Sequence, residues 1–264
     1  MHIASDQKAD NGSNPIIVVD DLRKRYGDVQ AVDGVSFQVQ KGEVFALLGP
    51  NGSGKTTTVE IIEGMRTADS GQARVADIDV GKDPKAVKHL IGVQLQSSAF
   101  FEHLQLQEIL KMLGSIYRMK VDPEPLLNTV DLWERRSASF RTLSGGQKQR
   151  FAIAAALVND PAVIFLDEPT TGLDPQARHL MWETIAGWKE EGRTIVLTTH
   201  YMEEAEELCD RVAVMDAGKI ITLDTPEALI EELIGRGFHR DQEVRAATLE
   251  DVFLDLTGRS LREF

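Results

Sequence analysis

One cysteine, Cys209, stands in 264 residues, so no disulfide can form within the chain, which suits a reducing compartment. Positive charge is scarce. Lys and Arg number 29 against 42 Asp and Glu, a net charge of −13. So acidic a surface repels nucleic acid and anionic lipid over most of its area, which argues against a nucleic-acid binder. No apolar run approaches the roughly 18 residues that a bilayer crossing needs. The opening residues are polar, without the apolar stretch of a signal peptide. The expectation is a soluble, cytosolic chain, and any membrane process it serves must take its membrane part from another chain. What is present is ordinary globular material, 42% hydrophobic and 27% charged, enough to bury the core of one large domain.

Residues 1–14 read as a disordered lead-in. Residues 16–19 form a short apolar strand, and Val35, Phe37 and Val39 alternate with polar neighbours as a half-buried strand does. Residues 44–48, 163–166 and 195–197 are apolar without alternation, the mark of strands buried on both faces of a parallel sheet. A polar loop and a helical stretch follow each, and that βα rhythm predicts an α/β fold. Residues 97–141 carry no strand signal and read as mostly helical, within a helical insert spanning about 97–160. Near the end, Thr225 caps a helix opened by Pro226, with Leu229, Ile230, Leu233 and Ile234 as its apolar stripe. After a polar linker, a second helix starts at Thr248 with Asp251 in the capping-box place. Its Leu249, Val252, Phe253 and Leu256 follow helical spacing. The expected division is a lead-in over 1–14, a main domain over 15–224 and a helical extension over 225–264.

Gly49, Pro50, Asn51, Gly52, Ser53, Gly54, Lys55 and Thr56 fit the phosphate-loop pattern G-x-x-x-x-G-K-[ST] in full. The loop follows a buried strand and opens a helical stretch beginning at Thr57, the context the pattern requires. Its backbone N–H groups can curl around phosphate oxygens, and the helix N-terminus adds partial positive charge. Lys55 is placed for the β- and γ-phosphates, and Thr56 for a hydroxyl on Mg²⁺. Asp167 and Glu168 end another buried strand. Asp167 suits Mg²⁺ binding, and Glu168 can face the attacking water as general base. Two acids ending a strand are common in themselves; beside the phosphate loop they carry weight.

Leu143, Ser144, Gly145, Gly146 and Gln147, upstream of the Asp167 strand, resemble the signature sequence of ABC ATPases. The family's other marks stand in its order. Tyr26 lies where the family stacks an aromatic on adenine. Gln96 resembles the Q-loop glutamine, Gly172-Leu173-Asp174 the D-loop, and His200 the switch histidine. The resemblance covers roughly residues 16–223. It implies an α/β fold: a P-loop ATPase core with a mostly parallel sheet, an N-terminal antiparallel β subdomain and an inserted helical subdomain. It further implies two cassettes, as a homodimer or heterodimer, closing head to tail over two ATP molecules. Ser144 and Gly146 of one chain then meet the γ-phosphate held by Lys55 of the other. Gln96 helps hold Mg²⁺ and water, His200 bonds the γ-phosphate, and Asp174 ties the two sites together.

The ending, residues 247–259, resembles the tail of drug-resistance-type exporter cassettes of bacteria and archaea, which pair with a separate membrane permease. Those relatives have a longer stretch between the terminal helices than this chain. The expectation is therefore an exporter's ATPase, peripheral on the cytoplasmic face of the membrane. The alternative is a soluble ATPase that remodels a cytosolic partner such as the ribosome. Phe100, Phe101 and Leu104 either receive a permease helix or simply pack the helical insert. His89, His103 and His179 read as surface residues, Cys209, Trp182 and Trp188 as helix packing, and Glu203, Glu204, Glu206 and Glu207 as a solvated helix face.

Overall fold

The structure, a computed structural model, describes residues 15–95, 100–238, 252 and 255–256. The lead-in, Gln96, Thr248, Leu249, Asp251 and Phe253 lie outside the described residues.

The three unbroken apolar runs become β3 (Val44–Leu48), β7 (Val163–Asp167) and β8 (Thr194–Thr199), buried at every position. With β6 (Ile91–Gln94), β9 (Arg211–Asp216) and β10 (Lys219–Asp224) they make one sheet in the order β10-β9-β3-β8-β7-β6. All pairs are parallel except β10 with β9. Side chains alternate along each strand and so feed two separate cores. Val44, Ala46 and Leu48 pack with the helices on one face, while Phe45 and Leu47 pack on the other face against a second sheet. That second sheet is antiparallel, in the order β2-β1-β4-β5, with β1 at Ile17–Tyr26, β2 at Val29–Val39, β4 at Ser70–Val75 and β5 at Ile78–Asp79. Phe37 of β2 stacks on Phe45 of β3 with centroids 5.1 Å apart, joining the sheets.

β1 is longer than the apolar residues 16–19 suggested. Its polar second half stays in the ladder by shifting register at Asp21, which takes a positive φ of 43°. Its charges are then ion-paired, Arg23 with Asp21 and Asp33 and Lys24 with Asp69. Apolar content alone therefore understates the strand.

Between β6 and β7 lie α3 (Leu106–Ile116), α4 (Pro123–Thr129) and α5 (Gly145–Ala156). Phe100 packs inside this insert, edge-on to Phe140 at 5.1 Å and Phe151 at 5.2 Å. Phe101 points the other way and is 63% exposed. Further helices among the described residues include α1 (Lys55–Ile62), α2 (Pro84–Leu90), α6 (Pro175–Glu190), α7 (Met202–Leu208) and α8 (Pro226–Gly235). In α8 the Ala228 amide donates to Thr225 Oγ1 at 3.1 Å, as the sequence predicts for an N-cap. Leu229 and Leu233 are buried beside Val252, whereas Ile234 at the edge of the stripe is exposed. No helix among the described residues is long and apolar enough to cross a membrane.

Candidate functional site

The carboxyl ends of β3, β8 and β7 lie side by side, with Leu48 opposite Thr199 and Asp167 opposite Thr198. In open parallel sheets this edge is where ligands bind. Gly49 continues from β3 and Gly54 begins α1. A Cβ at Gly49 would stand 2.2 Å from the Met215 carbonyl oxygen, and one at Gly54 would stand 2.3 Å from that of Ala31. Gly54 also has φ +102°, a conformation that other residues avoid. Only glycine lets the loop curl this tightly. At its centre Lys55 is buried, its Nζ donating to the Gly49 and Pro50 carbonyls at 2.8 and 3.0 Å. Burial lowers the Lys55 pKa, opposed by the nearby charges of Glu168 and Asp167. The α1 N-terminus has no side-chain cap and no acid in its first turn. An anion placed there would meet only backbone N–H groups and Lys55.

Thr56 is exposed at the loop mouth, its Oγ1 donating to Asp167 Oδ1 at 3.4 Å. Thr198 Oγ1 donates to the same Asp167 oxygen at 2.5 Å. Burial raises the Asp167 pKa, the Thr198 hydroxyl pulls it down, and the neighbouring Glu168 charge raises it again. Glu168 follows in a left-handed conformation, φ 48°, held by its amide donating to the Thr198 carbonyl and hydroxyl. The turn brings its carboxylate inward, where Thr171 Oγ1 donates to Oε2 at 3.1 Å and His200 Nδ1 lies 3.3 Å from Oε1. The His200 contact has ion-pair distance without hydrogen-bond alignment. Lys55, Thr56, Asp167, Glu168 and His200 thus converge on one edge. Thr57 is half-buried behind Thr56, and Asn51 and Gly52 are exposed at the loop tip.

Tyr26 ends β1 as an exposed ring, not a buried strand-end aromatic, with Lys24 Nζ and the Arg66 guanidinium at 5.5 and 5.6 Å from its centroid. The strand beyond it leads to Ala31, whose carbonyl abuts Gly54. The segment Leu143–Gln147 forms a separate surface. Leu143 anchors it in the core, and Ser144 and Gln147 bond each other in a capping box at the start of α5. Gly146 packs towards Leu173, so this segment neighbours the turn that ends at Asp174. Asp174 is exposed and caps α6 through the Ala177 amide at 2.9 Å. Gln149 Nε2 donates to the Pro169 carbonyl, joining α5 to the loop beyond Glu168.

His89, His103 and His179 are exposed, Cys209 is buried, and Trp182 and Trp188 pack against the helical core. One reading is overturned. Glu204 is not on a solvated face; it is fully buried and accepts a hydrogen bond from Trp182 Nε1 at 3.4 Å. Position by position, helical spacing puts it on the stripe of Leu208, a signal lost when four acids in seven residues are read as a block. Glu63 was also missed. It is buried at the end of α1, and its carboxyl is pushed up to about 8 by burial and by the charges of Asp167 and Glu60.

Comparison with known proteins bears on the fold and the family. The ABC transporter family matches residues 32–171. A Nod factor export ATP-binding protein I of Ralstonia nicotianae is 42% identical over 229 residues, 85% of this chain and 71% of that protein. Its counterpart in Burkholderia lata is 37% identical over 94% of this chain and 100% of its own length. An ATP-binding subunit of an ABC transporter superposes with TM-score 0.79 at 28% identity, over 92% of this chain and 99% of that one. A dimeric ATP-binding cassette in a post-hydrolysis state with ADP and Pi superposes with TM-score 0.72 at 25% identity, over 79% and 98%. The chain belongs to the ABC transporter family, as one of its nucleotide-binding, ATP-hydrolysing cassettes.

Proposed function

We propose that this chain energises an exporter, working as an ATP-driven dimer on the cytoplasmic face of a membrane permease. The observation that carries the hydrolytic part is the convergence of Lys55, Asp167, Glu168 and His200 at the carboxyl ends of three adjacent strands. The names of the relatives support export, and they disfavour the soluble remodelling reading.

Lys55 would exchange its two carbonyl partners for phosphate oxygens, and the uncapped start of α1, from Gly49 to Thr57, would hold the remaining charge. Tyr26 would stack on adenine. The Thr56 hydroxyl and Asp167 carboxylate are hard oxygen donors that already face each other, a set that fits Mg²⁺, with Gln96 as a further ligand. When bound, Mg²⁺ would neutralise charge between the β- and γ-phosphates. Glu168 is the general base for the attacking water, and His200 beside it orients that attack. Leu143, Ser144, Gly145, Gly146 and Gln147 would complete the site of the partner cassette, with Asp174 at the interface between them. Both segments are solvent-facing and capped within their own chain, as a surface awaiting a partner must be.

The permease contact is assigned to the cleft between β6 and the helical insert, about 310 Å³, lined by Met65, Ile91, Phe100, Leu113, Tyr117 and Ala152. Phe101 is exposed beside Phe100 and is the better anchor for a permease helix, since Phe100 is held in the aromatic cluster.

The deciding experiment is Glu168→Gln. It should bind ATP, hydrolyse it at least about 10²-fold more slowly, and accumulate as an ATP-bound dimer in size-exclusion chromatography. Undiminished turnover without a dimer defeats the assignment of Glu168. The same variant, pulled down from native membranes with ATP, should bring a polytopic membrane protein. Recovery of ribosomes alone defeats the exporter reading.

A further inference from the structure

Lys24 and Arg66 both stand within cation–π distance of the Tyr26 ring, and they reach it from different parts of the chain. Lys24, two residues back on β1, brings its Nζ to 5.5 Å from the ring centre and is ion-paired to Asp69 at 2.8 Å. Arg66 lies just beyond α1, and its guanidinium is 5.6 Å from the same centre. Side chain and backbone both fix Arg66 there. Its Nε pairs with Glu60 Oε2 while its Nη2 donates to Oε1 at 3.4 Å, so two nitrogens of the fork meet two carboxylate oxygens. The amides of Met65 and Arg66 both donate to the Glu60 carbonyl, at 2.8 and 3.0 Å. The chain can turn back here because Gly64, at φ +68°, closes the helix in a left-handed conformation.

For stability this arrangement offers little. The Arg66 and Glu60 side chains are 45% and 22% accessible, and ion pairs so open to solvent add little to a fold. Its consequence lies in what it connects. α1 carries Lys55 at its first position and Glu60 five residues on. Glu60 grips Arg66, and Arg66 stands against the Tyr26 ring. One helix is therefore tied at its start to the phosphate loop and, further along, to the aromatic ring that ends β1. Tyr26 is 40% exposed, and a ring so exposed keeps its rotamer freedom unless something holds it. A ring already held loses less freedom when a base stacks on it, and binding gains by the difference.

We propose that Arg66 is a positioning residue for nucleotide binding: anchored by Glu60 on α1, it holds the Tyr26 ring in place for the adenine base. This rests on the reading of Tyr26 as the ring that stacks on adenine. Arg66 acts on the base end of the nucleotide, through Tyr26, and leaves the phosphate end to Lys55. Its loss should therefore weaken ATP binding and spare the turnover of bound ATP. A ligand that has phosphates but no base should bind as before.

The test is the ATPase of the full chain as wild type, Arg66→Ala, Tyr26→Ala and the double variant, with inorganic tripolyphosphate as a competitive inhibitor that carries phosphates and no base. Arg66→Ala should raise KM for ATP about fivefold, keep kcat within about twofold, and leave the inhibition constant of tripolyphosphate unchanged. The double variant should have the KM of Tyr26→Ala alone, because Arg66 acts only through that ring. A wild-type KM in Arg66→Ala overturns the proposal. So does a tripolyphosphate constant that rises with KM, the mark of an Arg66 that meets phosphate directly, and so do losses that multiply in the double variant. If Arg66→Ala does not fold, Glu60→Gln carries the test. It keeps Arg66 and removes the carboxylate that fixes it, so KM must rise at constant kcat, and a wild-type KM overturns the proposal. A wild-type KM in Tyr26→Ala overturns the underlying reading of Tyr26 and the proposal with it, a result distinct from a silent Arg66→Ala beside an impaired Tyr26→Ala.

Discussion

Two helices of this protein begin at glycine-rich turns, and they begin in opposite ways. α1 starts on Gly54 in a left-handed conformation, without a side-chain cap, with Lys55 folded back onto the carbonyls of its own loop. α5 starts on Ser144, whose side chain and that of Gln147 cap the helix reciprocally. The first helix start therefore leaves its backbone N–H groups without a side-chain partner, and its loop is clamped by the Met215 and Ala31 carbonyls. The second is finished by its own side chains and open to solvent. The helices end differently too, α1 on the buried acid Glu63 and α5 on the buried Leu157. That contrast is what the proposed function asks for: one surface that receives a ligand, and another presented to a ligand held elsewhere.

The largest effects should come from disabling each helix start separately. Lys55→Ala should abolish turnover and remove the rise in melting temperature that ATP gives the wild type, since a ligand that no longer binds cannot stabilise. Ser144→Arg should abolish turnover but keep that rise. Mixed, the two inactive proteins should regain about a quarter of the wild-type rate. Half of randomly formed pairs are then mixed, and each mixed pair has one intact site of two. No recovery in the mixture would place both segments in the same site of one chain and end the comparison.

The far end of α1 gives a smaller effect, readable by pH. The Glu63 carboxyl is raised from its usual 4.5 to about 8, chiefly by burial. The folded chain thus keeps a proton that the unfolded chain releases above pH 4.5. The stabilisation is full below pH 4.5 and is lost as pH rises through 8, an effect on the order of a few kcal/mol. Without nucleotide, the melting temperature should fall between pH 5 and pH 8, and Glu63→Gln should flatten that fall. An equal slope in the variant would show that Glu63 titrates normally.

What the sequence made legible divides along the same line. The turn after β3 and the place of Asp167 and Glu168 at the carboxyl end of β7 were readable because a few consecutive residues after an apolar run fix the backbone there. The two sheets were partly readable. Full burial of β3, β7 and β8 shows in unbroken apolar runs, whereas the second half of β1 is held by ion pairs to Asp33 and Asp69, residues distant in sequence. Glu204 offered only its helical spacing to Leu208, and Glu63 offered nothing. Their burial depends on which helix face meets which strand, and charged letters invite the opposite reading. Phe100 and Phe101 are adjacent and alike in sequence, and only packing separates the one in the aromatic cluster from the one in solvent.

The smallest effect is also the most direct test of how the two helix starts differ. If α5 is finished by its own side chains, its cap must contribute to stability without any ligand. Ser144→Ala removes the oxygen that the Gln147 amide uses, and should destabilise the nucleotide-free protein by about 1 kcal/mol in urea unfolding. Thr56→Ala, at the corresponding helix start, loses only an exposed hydroxyl 3.4 Å from Asp167, and should change stability by less than about 0.5 kcal/mol. With ATP and Mg²⁺ present the order should invert, because Thr56 then faces the ligand of its own chain while Ser144 needs a second chain to reach one. Equal costs without nucleotide would mean that α1 already draws on the Thr56 hydroxyl for its own stability, and that its start is no less finished than that of α5.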